Sequence, residues 1–376
     1  MTTLRVIIDA VAASPAGGAA RYAEELTQQL IATAPRGSNV AGIVSASSDA
    51  DYERLTERLP GLTGLYTSPL ARRELAAAWQ HGFTRLPGTG MVHATSLLAP
   101  MSRHNRSEQR SSQIAVTVHD AVAWTDPGLL NSRQLAWARA MTKRAERFAD
   151  AVVVPTHAVA TELAEHFDFG DRLRVIGGAP SSRLRPMPDA AERRKRLGVG
   201  EGYLLAVSGL DPRKGLDALI EALADVDGAP LVVVGAGGAV AEVAAAAEDA
   251  GLASDRVIVL DLLEDDDLAA VLQGASLFIQ PSRAEGFGLA MVEAFAFGLP
   301  VIHSDAPALV EVADDAGLVV PRDEPSGYPA RLAEAIRGVR EDDALRQRLS
   351  VSAADRARAF SWRDAAEKVW QLHADL

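Results

Sequence analysis

A short run rich in Val and Ile, then a turn, then an amphipathic stretch of Ala, Leu and Arg: this chain repeats that unit throughout. The repetition restricts its fold more than any other feature. In the first half the runs are LRVIIDA (4–10), NVAGIVS (39–45), LTGLYTS (62–68), GMVHATS (90–96), IAVTVHD (114–120), AVVVPTH (151–157) and LRVIGG (173–178). The second half restarts with YLLAVSG (203–209), PLVVVGA (230–236), VIVLDLL (257–263), SLFIQPS (276–282), PVIHSDA (300–306) and AGLVVP (316–321). Strands that alternate with helices join by right-handed crossovers, and the product is a parallel sheet. Between the halves, GGAPSSRLRPMPDAAERR has the Gly, Pro and Arg content of a linker, and 376 residues suit two cores better than one. The expected architecture is α/β, with one parallel-sheet domain over 1–179 and a second over 180–358. Ligands bind beyond the carboxyl ends of parallel strands, so two such sheets facing each other make the interdomain cleft the expected active site.

Composition narrows the partners. Apolar residues make up 48% of the chain and aromatic ones only 5%, the surplus being Ala, Val and Leu, as Ala-rich helices on Val-rich strands require. No run approaches the roughly 18 apolar residues of a membrane span, and the opening MTTLRVIIDAV enters a strand pattern without a secretory layout. The expected location is the cytoplasm. The absence of cysteine excludes disulfides, thiolate metal sites and a Cys nucleophile. With 38 basic and 50 acidic residues the net charge is −12, which argues against nucleic acid as a partner but leaves room for a local basic groove. SRHNRSEQRSSQ (102–113), polar and without an apolar period, reads as a mobile surface loop. RRELAAAWQHGFTRL (72–86) sets Arg72, Arg73 and Arg85 beside Trp79 and Phe83. That pattern suits either a solvated helix packed on its own sheet or an interfacial helix at the inner face of a membrane.

Four stretches carry chemistry. Gly17 and Gly18 open a helix after the first strand, where a tight turn and a phosphate contact are both consistent with paired glycines. Gly235, Gly237 and Gly238 come closer to a dinucleotide fingerprint, but no acidic residue is evident on a following strand end, so NAD is discounted. Arg213 and Lys214 stand at a strand-to-helix turn before Gly215. Two adjacent cations repel unless an anion lies between them, so the pair is either solvated or a diphosphate clamp. In SLFIQPSRAEGFGLAMVEAFAFG, a buried strand gives way to a turn at Pro281 and Ser282 and to a helix from about Gly288. Either this is a capped helix entering a core, or Glu285 projects from the loop, Glu293 lies on the helix, and the amides of Gly286, Phe287 and Gly288 face a ligand.

The last stretch resembles the retaining GT-B glycosyltransferases of the group 1 (family 4) type, whose signature is a Glu, seven residues and a second Glu in a Glu-Gly-Phe-Gly context. Glu285 and Glu293 match it, and the resemblance extends to Gly-Gly-x-x-Arg-Tyr at 17–22, His119-Asp120, Pro-Arg-Lys at 212–214, Gly-x-Pro-Val-Ile at 298–302 and FSWRDAAEKVW at 360–370. It implies two Rossmann-like domains and a final segment, 359–376, that crosses back to the N-terminal one. It also implies that Arg213 and Lys214 hold a donor diphosphate and Glu293 the ribose. Glu285 with the amides of Gly286, Phe287, Gly288 and Leu289 then holds the transferred sugar, with Gly17 and Gly18 completing the donor site. His119, otherwise a hydrogen-bonded strand-end histidine, contacts the sugar from the opposite wall, and Asp120 lies toward the acceptor. The chain departs from the family at GGAPSS (177–182), at Ala19 and Ala20, and at Ala290.

A nucleoside diphosphate is a good leaving group, so the expected task is stabilising negative charge rather than supplying a strong acid. No carboxylate is clearly placed as a covalent nucleophile, which favours retention through a short-lived oxocarbenium-like ion pair. SGLDPRKG is most similar to members that move mannose from GDP-mannose to cell-surface saccharides, so the expected partners are that donor and a saccharide or lipid-linked saccharide acceptor. UDP-sugar transfer, a non-transferring epimerase and a binding subunit on the same fold stay open. No His pair at ligand spacing and no Asp-x-Asp motif is present, and the run Glu264 to Asp267 reads as a polar helix start. The expectation is an enzyme that needs neither metal nor cofactor. The sequence leaves the oligomeric state, the acceptor and any peripheral membrane contact undecided.

Overall fold

The computed structural model describes residues 2–13, 17–84, 86, 90–103 and 112–376. The chain divides into two compact units, Met1–Gly178 with Ser361–Leu376, and Ala179–Phe360.

Unit 1 is built on a seven-stranded sheet. Its strands are β1 (Thr2–Ile7), β2 (Ser38–Ala46), β3 (Leu65–Ala71), β4 (Gly90–Ala94), β5 (Ser112–Thr117), β6 (Ala151–Val154) and β7 (Leu173–Val175), in the order β3-β2-β1-β4-β5-β6-β7. Every pairing is parallel. The order reverses at β1 and β4, so the carboxyl ends of those strands flank the switch point, where an open α/β sheet offers a crevice. The helix Gly18–Ala32 follows β1, and the C-terminal helix Trp362–Asp375 packs against it. Trp370 Nε1–H donates to the Leu30 carbonyl at 3.2 Å. The Trp362 ring meets Tyr22 edge-on at 5.5 Å.

Unit 2 carries a six-stranded sheet of β8 (Tyr203–Val207), β9 (Leu231–Val234), β10 (Val257–Leu260), β11 (Ala275–Gln280), β12 (Val301–Ser304) and β13 (Leu318–Val320), in the order β10-β9-β8-β11-β12-β13. All of its pairings are parallel too. One apolar layer is built round Leu216, Leu219, Leu332 and Ile336, and the other round Leu272, Met291, Phe295 and Leu309. Burial on both faces is why these strands read as unbroken Val, Ile and Leu rather than alternating with polar residues. Here the switch point lies between β8 and β11, at the two loops that carry Lys214 and Glu285.

Two expectations change, the bounds and the interfacial reading of the helix in 72–86, and a third falls largely outside the described residues. Of the segment 102–113, residues 104–111 lie outside the described residues, and Ser112 and Gln113 already belong to β5. The helix expected over 72–86 runs Arg72–His81 and ends at Gly82 in the left-handed conformation (φ 72°). Trp79 is 1% exposed and packs into the core of unit 1, and Arg72 pairs with buried Asp9 at 3.2 Å. An interfacial helix needs its aromatic residues outward, and only Phe83, at 83% exposure, meets that requirement. Arg85 lies outside the described residues.

Candidate functional site

In unit 2 the loop after β8 enters a short 3-10 turn, Pro212–Lys214, because Asp211 caps it and proline fixes its first residue. Gly215 follows at φ 65°, the left-handed geometry that reverses the chain into the helix Leu216–Ala222. The loop after β11 comes back against it. Arg283 N–H and Ala284 N–H both donate to the Arg213 carbonyl, at 2.7 and 3.2 Å. The Arg283 guanidinium grips Asp217 with two bonds of 2.7 Å and reaches the Pro212 carbonyl at 3.0 Å. Tyr328 Oη–H holds the Pro281 carbonyl at 3.1 Å, and Ser304 Oγ–H holds that of Ser282 at 2.5 Å. Two loops far apart in sequence are thereby fastened into one surface at the switch point.

Lys214 and Glu285 meet on that surface. Lys214 Nζ donates to Glu285 Oε1 at 2.5 Å, and the same oxygen accepts from Gln280 Nε2 at 2.9 Å and Ser282 Oγ at 3.0 Å. The helix Leu289–Ala296 starts just beyond, with Gly288 at its N-cap in the left-handed conformation (φ 81°). The amides of Phe287 and Gly288 donate no hydrogen bond to any described residue. Glu293, on that helix, is 2% exposed.

The adjacent cations are not left facing each other, which corrects the argument that they need an outside anion. Each has a carboxylate of its own, Lys214 through Glu285 and Arg213 through a fork of 2.7 to 3.1 Å onto Asp211. Burial pushes the Asp211 carboxyl up, but bonds from the Arg213 side chain and amide outweigh that and hold it below its usual range. The glycine loop after β9 needs a second correction. Asp261 does stand directly after β10, and its Oδ1 accepts from Gly238 N–H at 3.1 Å. The loop's amide donor is thus turned on the protein's own carboxylate, an arrangement unlike one kept open for a dinucleotide.

In unit 1, His119 follows β5 and Gly17 is the N-cap of the helix that begins at Gly18. His119 Nε2 lies 2.8 Å from the Thr95 carbonyl, which can only accept, so the proton sits on Nε2 and Nδ1 presents a lone pair. Burial lowers the His119 pKa, and the bond to Thr95 and the nearby Asp120 only partly oppose it. Tyr22 braces the ring edge-on at 4.9 Å. Asp120 Oδ1 accepts from Val122 N–H at 3.2 Å.

Residues 16–179 match the family described as Glycosyltransferase Family 4, and residues 189–356 match that described as Glycosyl transferases group 1. The chain belongs to the group 1 glycosyltransferases. Similar curated proteins include a D-inositol 3-phosphate glycosyltransferase of Streptomyces bingchenggensis, 31% identical over 60% of this chain and 53% of its own. A GDP-mannose-dependent alpha-(1-6)-phosphatidylinositol monomannoside mannosyltransferase of Mycobacterium tuberculosis is 32% identical over 61% of each chain. The O-antigen chain mannosyltransferase B of Escherichia coli is 26% identical over 67% of this chain and 68% of its own. The chain thus spans about half to two thirds of the length of these curated relatives. Among solved structures, sucrose-phosphate synthase from Thermosynechococcus elongatus has a TM-score of 0.74 at 21% identity, covering 100% of this chain and 99% of that one. Anabaena HepE in complex with UDP and glucose gives 0.74 at 19%, covering 100% of both. These likenesses establish the GT-B fold of the chain.

Sequence reasoning singled out Glu285, Lys214 and Arg213 as candidates but not the residues that hold them. Gln280, Ser282, Asp211, Asp217, Arg283 and Tyr328 all escaped it. A usable signal existed at Gln280, a polar residue ending an apolar strand five positions before the glutamate.

Proposed function

We propose that this protein is a retaining hexosyltransferase that moves mannose from GDP-mannose to a saccharide or lipid-linked saccharide, with no metal. The observation that carries the proposal is the Lys214–Glu285 pair, a cation and a carboxylate held in contact where the loops after β8 and β11 join. A sugar nucleotide presents a dianionic diphosphate beside a sugar that becomes cationic as its C1–O bond to phosphate breaks. Lys214 and Arg213 suit the first, Glu285 the second. The bond from C1 to the acceptor oxygen forms as the bond to the diphosphate breaks, and the acceptor proton leaves with the departing phosphate or to solvent. Amides of the helix start at Gly288 add donors for negative charge. The preference for mannose rests on SGLDPRKG and on the two mannosyltransferases among the relatives.

Thermal shift is the direct test. GDP and GDP-mannose at about 100 times Kd stabilise the native state by about 2.7 kcal/mol, and UDP and UDP-glucose are the comparison. A larger shift with the uridine pair replaces mannose transfer by UDP-sugar transfer. No shift with any of the four refutes the donor site. Product formation that persists in EDTA supports metal independence, and loss restored by Mn²⁺ or Mg²⁺ refutes it.

A further inference from the structure

Glu285 uses its two oxygens unequally. Oε1 accepts from Lys214, Gln280 and Ser282, whereas Oε2 has no partner among the described residues. Gln280 and Ser282 are 5% and 1% exposed, so neither is a surface side chain that happens to reach the carboxylate. Their hydrogens are also assigned by chemistry. A carboxylate can only accept, so the Gln280 amide nitrogen must face it, and the single Ser282 hydroxyl proton must point to Oε1. Ser282 Oγ then accepts the second Gln280 proton at 3.3 Å. The chain Gln280 to Ser282 to Glu285 runs in one direction, and its start is anchored on β11.

We infer that Gln280 and Ser282 are positioning residues that fix Glu285 through Oε1 and turn Oε2 toward the transferred sugar. The inference rests on the reading above that Glu285 serves the sugar. Its physical basis is competition for Lys214. On that reading a bound diphosphate draws the ammonium away from Glu285, and the ion pair can then no longer hold the carboxylate. Two neutral donors, one on the strand and one on the loop, are indifferent to the phosphate and keep the carboxylate in register during transfer. Such a role acts on the chemical step and not on the nucleotide.

The test compares Ser282→Ala, Ser282→Thr and Gln280→Met with the wild type, measuring nucleoside diphosphate release from GDP-mannose or UDP-glucose and the affinity of GDP or UDP by calorimetry. Losing one hydrogen bond to a charged group lowers kcat by about 10- to 100-fold in Ser282→Ala and Gln280→Met. Diphosphate affinity stays within about twofold, because no hydrogen bond to the nucleotide is removed. Ser282→Thr, which keeps the hydroxyl, recovers most of kcat. Unchanged kcat in both donor-deleted variants, or a fall in diphosphate affinity matching that in kcat, overturns the inference while the functional reading stands. A wild-type protein that binds neither diphosphate and cleaves neither donor overturns the reading and the inference with it.

Discussion

At the residue scale the two carboxylates of the signature differ in their surroundings. Glu285 sits on a loop with one oxygen saturated, and Glu293 is buried on the helix behind it. On the proposed reading Glu285→Gln keeps the shape but removes the charge that steadies a cationic sugar, so kcat falls while nucleoside diphosphate affinity holds. Glu293→Gln weakens ribose contacts that are equal in ground and transition states, so donor KM rises and diphosphate affinity falls. Equal losses of diphosphate affinity with kcat untouched would refute that division. On the same reading Lys214→Ala removes a charge-assisted contact to the diphosphate and also unpairs Glu285, which costs on the order of 2 to 4 kcal/mol in the transition state. The corresponding loss in kcat/KM is roughly 30- to 1000-fold. Near-normal turnover would make Lys214 a structural partner of Glu285 only. The sequence singles these residues out through their spacing, but does not reveal that Lys214 binds Glu285, since 71 positions separate them and no local period links them.

At the scale of elements, the site depends on two loops lying closer together than ordinary side chains allow. A methyl group added at Gly215 falls 2.1 Å from the Pro281 carbonyl oxygen, backbone against side chain, at a φ of 65° that disfavours any Cβ. Gly215→Ala must therefore part the loops, separating Lys214 from Glu285 and straining the Arg213 carbonyl contacts. Expected are a loss of unit 2 stability of about 2 kcal/mol or more and weakened diphosphate binding, read by denaturant unfolding and calorimetry. Wild-type stability and affinity in that variant would show that the loops are not coupled. The strands were legible because a doubly covered parallel strand needs an unbroken apolar run, as LVVV in β9 shows. The helix Arg72–His81 was only half legible. Its Trp and Arg composition fits a membrane surface as well as a core, and only the fold decides that Trp79 points inward. Arg213 with Asp211 lay within two residues and could have been read from Asp-Pro-Arg, whereas the Arg283–Asp217 clasp needed the sheet order.

On the scale of the whole molecule, the chain begins unit 1, leaves it at Gly178 and returns to it only at Ser361, so the last helix completes the domain with which the described chain opens. The return was legible only by resemblance, because nothing in FSWRDAAEKVW states which core its apolar face covers. That face includes His373, whose Nδ1 lies 3.2 Å from Gln113 Oε1 and whose ring meets His93 of β4 at 5.6 Å. His93 is fully buried, and neither of its ring nitrogens has a hydrogen-bond partner among the described residues. Burial lowers its pKa to about 4, and burial together with the neighbouring His93 lowers that of His373 well below its ordinary value. Both rings are neutral in the folded state, while in the unfolded chain they take up protons as pH falls through about 6.5. Below that value the unfolded state binds more protons than the native one, so stability decreases on acidification until the native His93 titrates near pH 4. His93 alone accounts for on the order of 3 kcal/mol over that window. His93→Leu removes a buried polar ring without orphaning a partner, so it leaves stability at pH 7.5 unchanged or higher and flattens the decline between pH 6.5 and 4. Because His373 belongs to this helix and His93 to β4, acid acts where the helix meets the sheet, and the wild-type helix is expected to loosen from unit 1 before the domain unfolds. Hydrogen exchange at pH 5 should then show the earliest loss of protection at 362–375. An unfolding free energy with the same pH slope in His93→Leu as in the wild type would rule this histidine pair out as the origin of the acid sensitivity.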